Sequence, residues 1–189
     1  MKNVICIVPV SPVRLTPDHR VEMSSQLLFG ETAEVLNRND EGWLFIKHSW
    51  DGYEGWCREN QFVFINEPFE DAVEYTGDWV DDIYMNGQKL MIPFGSSLSV
   101  LKHNIPGIKI EFNGNIYNAA RAVISDEKII EIASLFLNTA YLWGGRSVFG
   151  IDCSGFVQSV YRMFNVPILR DARDQVEQGR VIDTLDEAV

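Results

Sequence analysis

Over the first 65 positions the apolar residues fall in short runs separated by polar turn pairs. Val4–Val10, Thr32–Leu36, Trp43–His48 and Gly55–Cys57 read as strands, with breaks at Asn37–Gly42 and Asp51–Gly52. Short, closely spaced strands of this kind predict a small β-barrel. A second, fainter copy follows. Phe29-Gly30-Glu31-Thr32-Ala33-Glu34-Val35-Leu36 aligns with Phe94-Gly95-Ser96-Ser97-Leu98-Ser99-Val100-Leu101, and Trp50-Asp51-Gly52 aligns with Phe112-Asn113-Gly114. Residues 1–65 and 66–125 are therefore expected to be two copies of one barrel.

The period changes at Ser125. Ser125 can cap a helix, and Asp126 and Glu127 suit the positive end of its dipole. Ile129, Ile130, Ile132, Ala133, Phe136 and Leu137 then recur at helical spacing. A loop containing Gly144, Gly145 and Gly150 precedes a second helix from Cys153. That helix carries Phe156, Val157, Val160, Tyr161 and Phe164 on its apolar side and ends before Pro167. A third helix is predicted over Ala172–Gln178, with Gly179 as its stop.

The chain has 189 residues, is 46% hydrophobic and carries a net charge of −11. That is ordinary globular composition. Lys and Arg are too few and too scattered to follow a phosphate backbone or an anionic membrane, so neither nucleic acid nor membrane is an expected partner. No stretch is long enough to span a bilayer. The opening M-K-N-V-I-C-I-V-P-V is too short for a signal peptide and leads straight into strand sequence. A cytoplasmic location is expected, or a periplasmic or wall-associated one if a leader has been removed. Cys6, Cys57 and Cys153 do not form a disulfide pattern. Cys6 and Cys57 read as small buried hydrophobes.

Cys153 differs. It sits at the predicted first turn of a helix, where free backbone N–H groups and the dipole favour a thiolate. Asp152 can cap that helix. Ser154 and Gly155 are small and are expected to keep the approach to the thiol open. The backbone N–H of Cys153 can serve an oxyanion.

Tyr141-Leu-Trp143-Gly144-Gly145, followed by Asp152-Cys153-Ser154-Gly155-Phe156-Val157-Gln158, resembles the Y-x-W-G-G and D-C-S-G-[FL]-[VI]-Q hallmarks of the NlpC/P60 cell-wall peptidases. Ile168-Leu169-Arg170-Asp171-Ala172-Arg173-Asp174-Gln175 is similar to that family's L-P-R-x-[ST]-x-x-Q segment, with Leu169 in place of Pro. Gly42-Trp43 and Gly55-Trp56 resemble bacterial SH3-like domains. The fold implied is α+β: two SH3-like β-barrels, then the helical N-terminal part of a papain-like NlpC/P60 domain over 126–189.

The arrangement is similar to the γ-D-glutamyl-L-diamino acid endopeptidases of that family. The resemblance implies hydrolysis of the γ-D-glutamyl–diamino acid bond in muropeptides with a free N-terminal L-Ala. It makes Cys153 the nucleophile, with Tyr141 bordering the reaction centre and Asp171 beside the substrate's amino group. Ser154, Asp152 and Trp143 join Asp171 as candidate substrate contacts, and Glu22 and Tyr53 are candidates for a wall built by the first barrel. No cofactor or metal is implied, and no metal-ligand spacing occurs.

The family's base His lies on strands well after the nucleophile, whereas His19, His48 and His103 all precede Cys153 and read as surface or strand histidines. The C-terminal half of the catalytic domain is expected to be missing, the chain alone to be inactive, and the apolar faces after Ser125 to be exposed. One alternative is a non-catalytic module that binds cell-wall peptide; another is acyl transfer. An activated thiol at Cys153 argues against the binding module, and the barrels and Asp171 favour peptide over acyl transfer.

Overall fold

A computed structural model describes residues 2–67, 69 and 73–184, so the last positions of the 126–189 segment lie outside the described residues. The first segment forms one antiparallel seven-stranded sheet. Its strands are β1 (Asn3–Cys6), β2 (Val10–Arg14), β3 (Met23–Leu28), β4 (Thr32–Arg38), β5 (Trp43–His48), β6 (Glu54–Arg58) and β7 (Phe62–Ile65), in the order β3-β2-β6-β5-β4-β1-β7. The run expected as one strand over Val4–Val10 is two strands. Between them the chain turns past Pro9, whose carbonyl accepts the Phe29 N–H at 3.1 Å.

Side-chain alternation along β1 divides two cores. Val4 and Cys6 face the interior of the sheet with Val13, Leu27, Leu44 and Ile46. Ile5 points the other way and packs with Phe29, Ile65, Ile83, Ile92 and Val100. The second segment supplies the last three of these. It contains β8 (Glu74–Thr76), β9 (Val80–Met85), β10 (Gln88–Pro93), β11 (Ile110–Phe112) and β12 (Ile116–Asn118), paired as β10-β9-β11 and β12-β8.

The aligned sequence copies make matching bonds. Phe29 N–H reaches Pro9 and Phe94 N–H reaches Trp79, at 3.1 and 3.0 Å; Gly30 N–H reaches Cys6 and Gly95 N–H reaches Thr76. Both glycines have positive φ, 77° and 78°. Gly30 is also where the copies touch: a Cβ there would lie 2.0 Å from the Ser97 carbonyl oxygen. The strands of the second segment are split between two small sheets, and β8, β11 and β12 have only three residues each.

The third segment carries α1 (Asp126–Ser134), the two-residue strands β13 (Arg146–Ser147) and β14 (Gly150–Ile151), α2 (Cys153–Arg162) and α3 (Ala172–Gln178). Ser125 caps α1 by accepting the Lys128 N–H at 3.2 Å. Gly179 ends α3 as expected. The expectation that the apolar faces after Ser125 are exposed holds only for some positions. Ile132, Phe136, Val160, Met163 and Phe164 are buried in one cluster with Tyr75, Phe94 and Ala119 of the second segment. Burying such a side chain contributes roughly 2–3 kcal/mol, which is reason enough for the segments to pack together. Ile130 and Leu137 remain 64% and 71% exposed.

Candidate active site

The loop before α2 is built by close backbone approach. Gly144 has φ 77°, and a Cβ on it would lie 2.5 Å from the Met23 carbonyl oxygen of β3. A Cβ on Gly155 would lie 2.2 Å from the Gly145 carbonyl oxygen. Gly155 is therefore required where the loop lies against the helix.

Asp152 caps α2. Its Oδ1 accepts the Gly155 N–H at 2.7 Å and its Oδ2 the Gly144 N–H at 2.9 Å. Arg170 grips both oxygens, at 3.1 and 2.7 Å, and also donates to Ser154 Oγ at 2.9 Å and to Ser25 Oγ of β3 at 3.2 Å. Burial raises the Asp152 pKa, but Arg170 and the two N–H groups outweigh it and hold the carboxyl below its ordinary value. With these donors in place, the Asp152 carboxylate has little capacity left for a substrate. It orients the start of α2 instead.

Cys153 is the exposed one of the three free cysteines. Burial pushes the other two thiols up, Cys57 to about 12. Two hollows meet at Cys153. A cleft of about 370 Å³ is lined by Glu22, Ser24, Tyr53, Trp143, Asp152, Ser154, Arg170 and Asp171, among others. Seven of the eight residues singled out from sequence, all but Tyr141, line this cleft. Glu22 accepts a hydrogen bond from the Trp143 indole N–H across its mouth. Asp171 sits at the start of α3 without a side-chain capping bond. Burial, with the nearby Asp174 and Asp152 carboxylates, lifts its pKa above the ordinary value against the pull of Arg170 and Arg173. Burial likewise raises Tyr53.

Tyr141 lies on the other side. It is 66% exposed and lines an apolar hollow of about 320 Å³ with Ala133, Phe136, Leu137, Ile151 and Phe156.

Between the first sheet and α2 lies a network the sequence reading missed. Glu31 accepts from Arg146 at 3.2 Å and from Arg162, and all three side chains are almost fully buried. The Arg162 guanidinium also stacks over Tyr75 and Trp50, 4.6 and 5.2 Å from the ring centroids. His48, expected at the surface or along a strand, is 3% exposed, with Nδ1 2.7 Å from Asp51 and Nε2 3.4 Å from Glu31. Burial lowers the His48 pKa, but the two carboxylates outweigh it and raise the value above 6.5. Both ring nitrogens can donate only when the ring is protonated. The other histidines are also occupied: His19 lies against Trp43, and His103 stacks on Phe69 at 3.9 Å. Among the described residues neither hollow at Cys153 is lined by a histidine, and no group of three or more His, Cys, Asp or Glu could hold a metal ion.

Residues 138–187 match the NlpC/P60 family model, and residues 13–62 match that of the bacterial dipeptidyl-peptidase SH3 domain. The chain carries an NlpC/P60 segment behind a bacterial SH3 segment. That family places it among the cysteine peptidases.

The NlpC/P60 chain is 25% identical to a dipeptidyl-peptidase 6 of Lysinibacillus sphaericus, over 90% of this chain and 73% of that protein. It is 29% identical to a γ-D-glutamyl-L-lysine dipeptidyl-peptidase of Bacillus subtilis, over 88% of this chain and 64% of that one. A crystal structure of an NlpC/P60 family protein from Bacillus cereus superposes with a TM-score of 0.80 at 20% identity, covering 96% of this chain and 78% of the other. That last likeness shows the fold.

Proposed function

We propose that this NlpC/P60 chain carries the nucleophile and the peptide-binding cleft of an enzyme that cleaves the γ-D-glutamyl–diamino acid bond of short muropeptides with a free N-terminal L-Ala. One observation carries the reading. Glu22 and Tyr53 from the first segment, Asp171 from the start of α3 and Cys153 from the start of α2 line a single cleft. Acidic side chains suit a substrate's ammonium group.

In this reading Cys153 Sγ attacks the γ-carbonyl, the C–N bond to the diamino acid breaks, the diamino acid leaves as its protonated amine, and an acyl-enzyme remains. The Cys153 amide, which has no intrahelical acceptor at the first turn, faces the oxyanion. Water then releases the acyl group. The base for this chemistry is none of His19, His48 and His103, whose rings are engaged elsewhere, so the 189-residue chain alone does not turn over. Residues 1–65 and 66–125 as two copies of one barrel belong to the same proposal.

The test is turnover of L-Ala-γ-D-Glu-L-Lys. The pure 189-residue chain is expected to release no lysine, while a longer enzyme containing this segment does so only with Cys153 intact. Lysine release by the 189-residue chain overturns the assignment of the base. Full activity of a Cys153→Ala enzyme overturns the nucleophile.

A further inference from the structure

A single side-chain amide ties the helix that carries Cys153 to two walls of the cleft. Gln158 lies one and a half turns along α2 from Cys153, about 7.5 Å along the axis. It is completely buried, and its Nε2 donates both to Asp51 Oδ2 at 2.9 Å and to the Ile168 carbonyl at 3.0 Å. Asp51 in turn accepts the Tyr53 backbone N–H at 3.0 Å and the His48 Nδ1–H at 2.7 Å through Oδ1. Tyr53 lines one wall of the cleft. Ile168 leads through Leu169 into Arg170 and Asp171, which line another. The helix that carries the thiol is therefore tied by one group to the first segment and to the chain that follows it.

We propose that Gln158 is a positioning residue: held between Asp51 and the Ile168 carbonyl, its amide fixes Cys153 relative to both walls of the cleft. This role rests on Cys153 being the nucleophile. A buried amide used only to fill space has no need of two acceptors from different segments. Its Oε1 is left without a partner in the interior, an arrangement that costs stability and that packing alone does not account for. The link also makes the first segment part of the frame that holds the nucleophile.

The readout is the rate at which iodoacetamide alkylates Cys153 across pH, followed by mass. Cys6 and Cys57 are completely buried, so the added mass reports Cys153. Gln158→Met keeps volume and removes the donor. It is expected to change the rate–pH profile of the folded chain and to slow alkylation at pH 7 by about threefold. A filler role lowers stability but leaves the profile of the folded chain where it was.

Asp51→Asn is a milder break of the same link. Its oxygen is needed by Tyr53 N–H, so its amide nitrogen meets Gln158 Nε2, donor against donor. It is expected to change the profile and slow alkylation in the same way. An unchanged profile in either folded variant overturns the positioning role. If a longer enzyme containing this segment keeps full activity with Cys153→Ala, the nucleophile reading fails and this role fails with it. A dead Cys153→Ala enzyme with unmoved Gln158 and Asp51 variants sinks the positioning role alone.

Discussion

The two hollows that meet at Cys153 are built in opposite ways. The cleft on the Glu22 and Asp171 side takes its walls from distant parts of the chain, and behind it stand the buried ion pairs of Arg170 with Asp152 and of Glu31 with Arg146 and Arg162. The hollow on the Tyr141 side is made by α1, the loop after it and α2, and its lining is mostly apolar. The first can recognise charge, and its shape depends on interactions between segments. The second offers apolar surface next to the thiol, and its tie outside the helical segment is apolar, Phe136 packing on Phe94 of the second segment. Charged and apolar surface thus meet the thiol on different faces.

The sharpest way to break this contrast is to remove the charge that joins the segments. Glu31→Gln leaves two buried guanidinium groups without their carboxylate. Taking one partner from a buried ion pair costs about 3–5 kcal/mol. The urea midpoint is expected to fall accordingly, with the polar cleft lost before the apolar hollow. A loss below about 1 kcal/mol shows that the network is a passenger and that the cleft is held by packing alone.

A smaller effect tests the same network through pH. The folded-state pKa of His48 is raised by Asp51 and Glu31. Its contribution is therefore complete below its unfolded value of about 6.5 and is lost as pH rises through the higher folded value. Glu31 and Asp51 act in the other direction. Burial raises them, but the arginines and His48 outweigh it and hold both below the ordinary range. Their contribution is present above about pH 4 and is lost only as pH falls through their depressed folded values. Stability is expected to decline on the alkaline side by up to about 1.4 kcal/mol per pH unit, the slope of a single proton. His48→Gln is expected to flatten that limb. An alkaline limb unchanged in this variant shows that the ring is neutral in the folded state.

How much of this could be read from residues alone follows the same division. The start of α2 at Cys153, the Asp152 cap, the Ser125 cap and the stop at Gly179 are local events, signalled by residue type and spacing within one turn. Glu22, Tyr53 and Asp171 came from family resemblance, and the fold brings them to Cys153. The buried network left no comparable trace. Glu31 stands just before an ordinary strand, and Arg162 follows Val160 and Tyr161 near a helix end, where a basic residue is expected for dipole reasons alone. Only the three-dimensional pairing of residues over a hundred positions apart distinguishes a buried guanidinium from a solvated one. The one available signal was the setting of Arg146 and Arg162 among apolar neighbours. His48 has a local partner in Asp51, three residues on, but its second partner Glu31 comes from the turn before β4, and only the fold joins them.

The smallest expected effect concerns the apolar hollow. Leu137 lines it yet is 71% exposed, so its side chain gains little from the fold. Leu137→Ser is expected to change stability by less than about 0.5 kcal/mol, as for surface positions generally. It is also expected to lower the binding of a hydrophobic dye, since a contiguous exposed apolar patch is what such dyes detect. The alkylation profile of Cys153 is expected to stay in place, because the bonds that orient α2 run through Asp152, Arg170 and Gln158 on the opposite side. A shifted profile in this variant means that the two faces of Cys153 are coupled, and the division of labour between them fails.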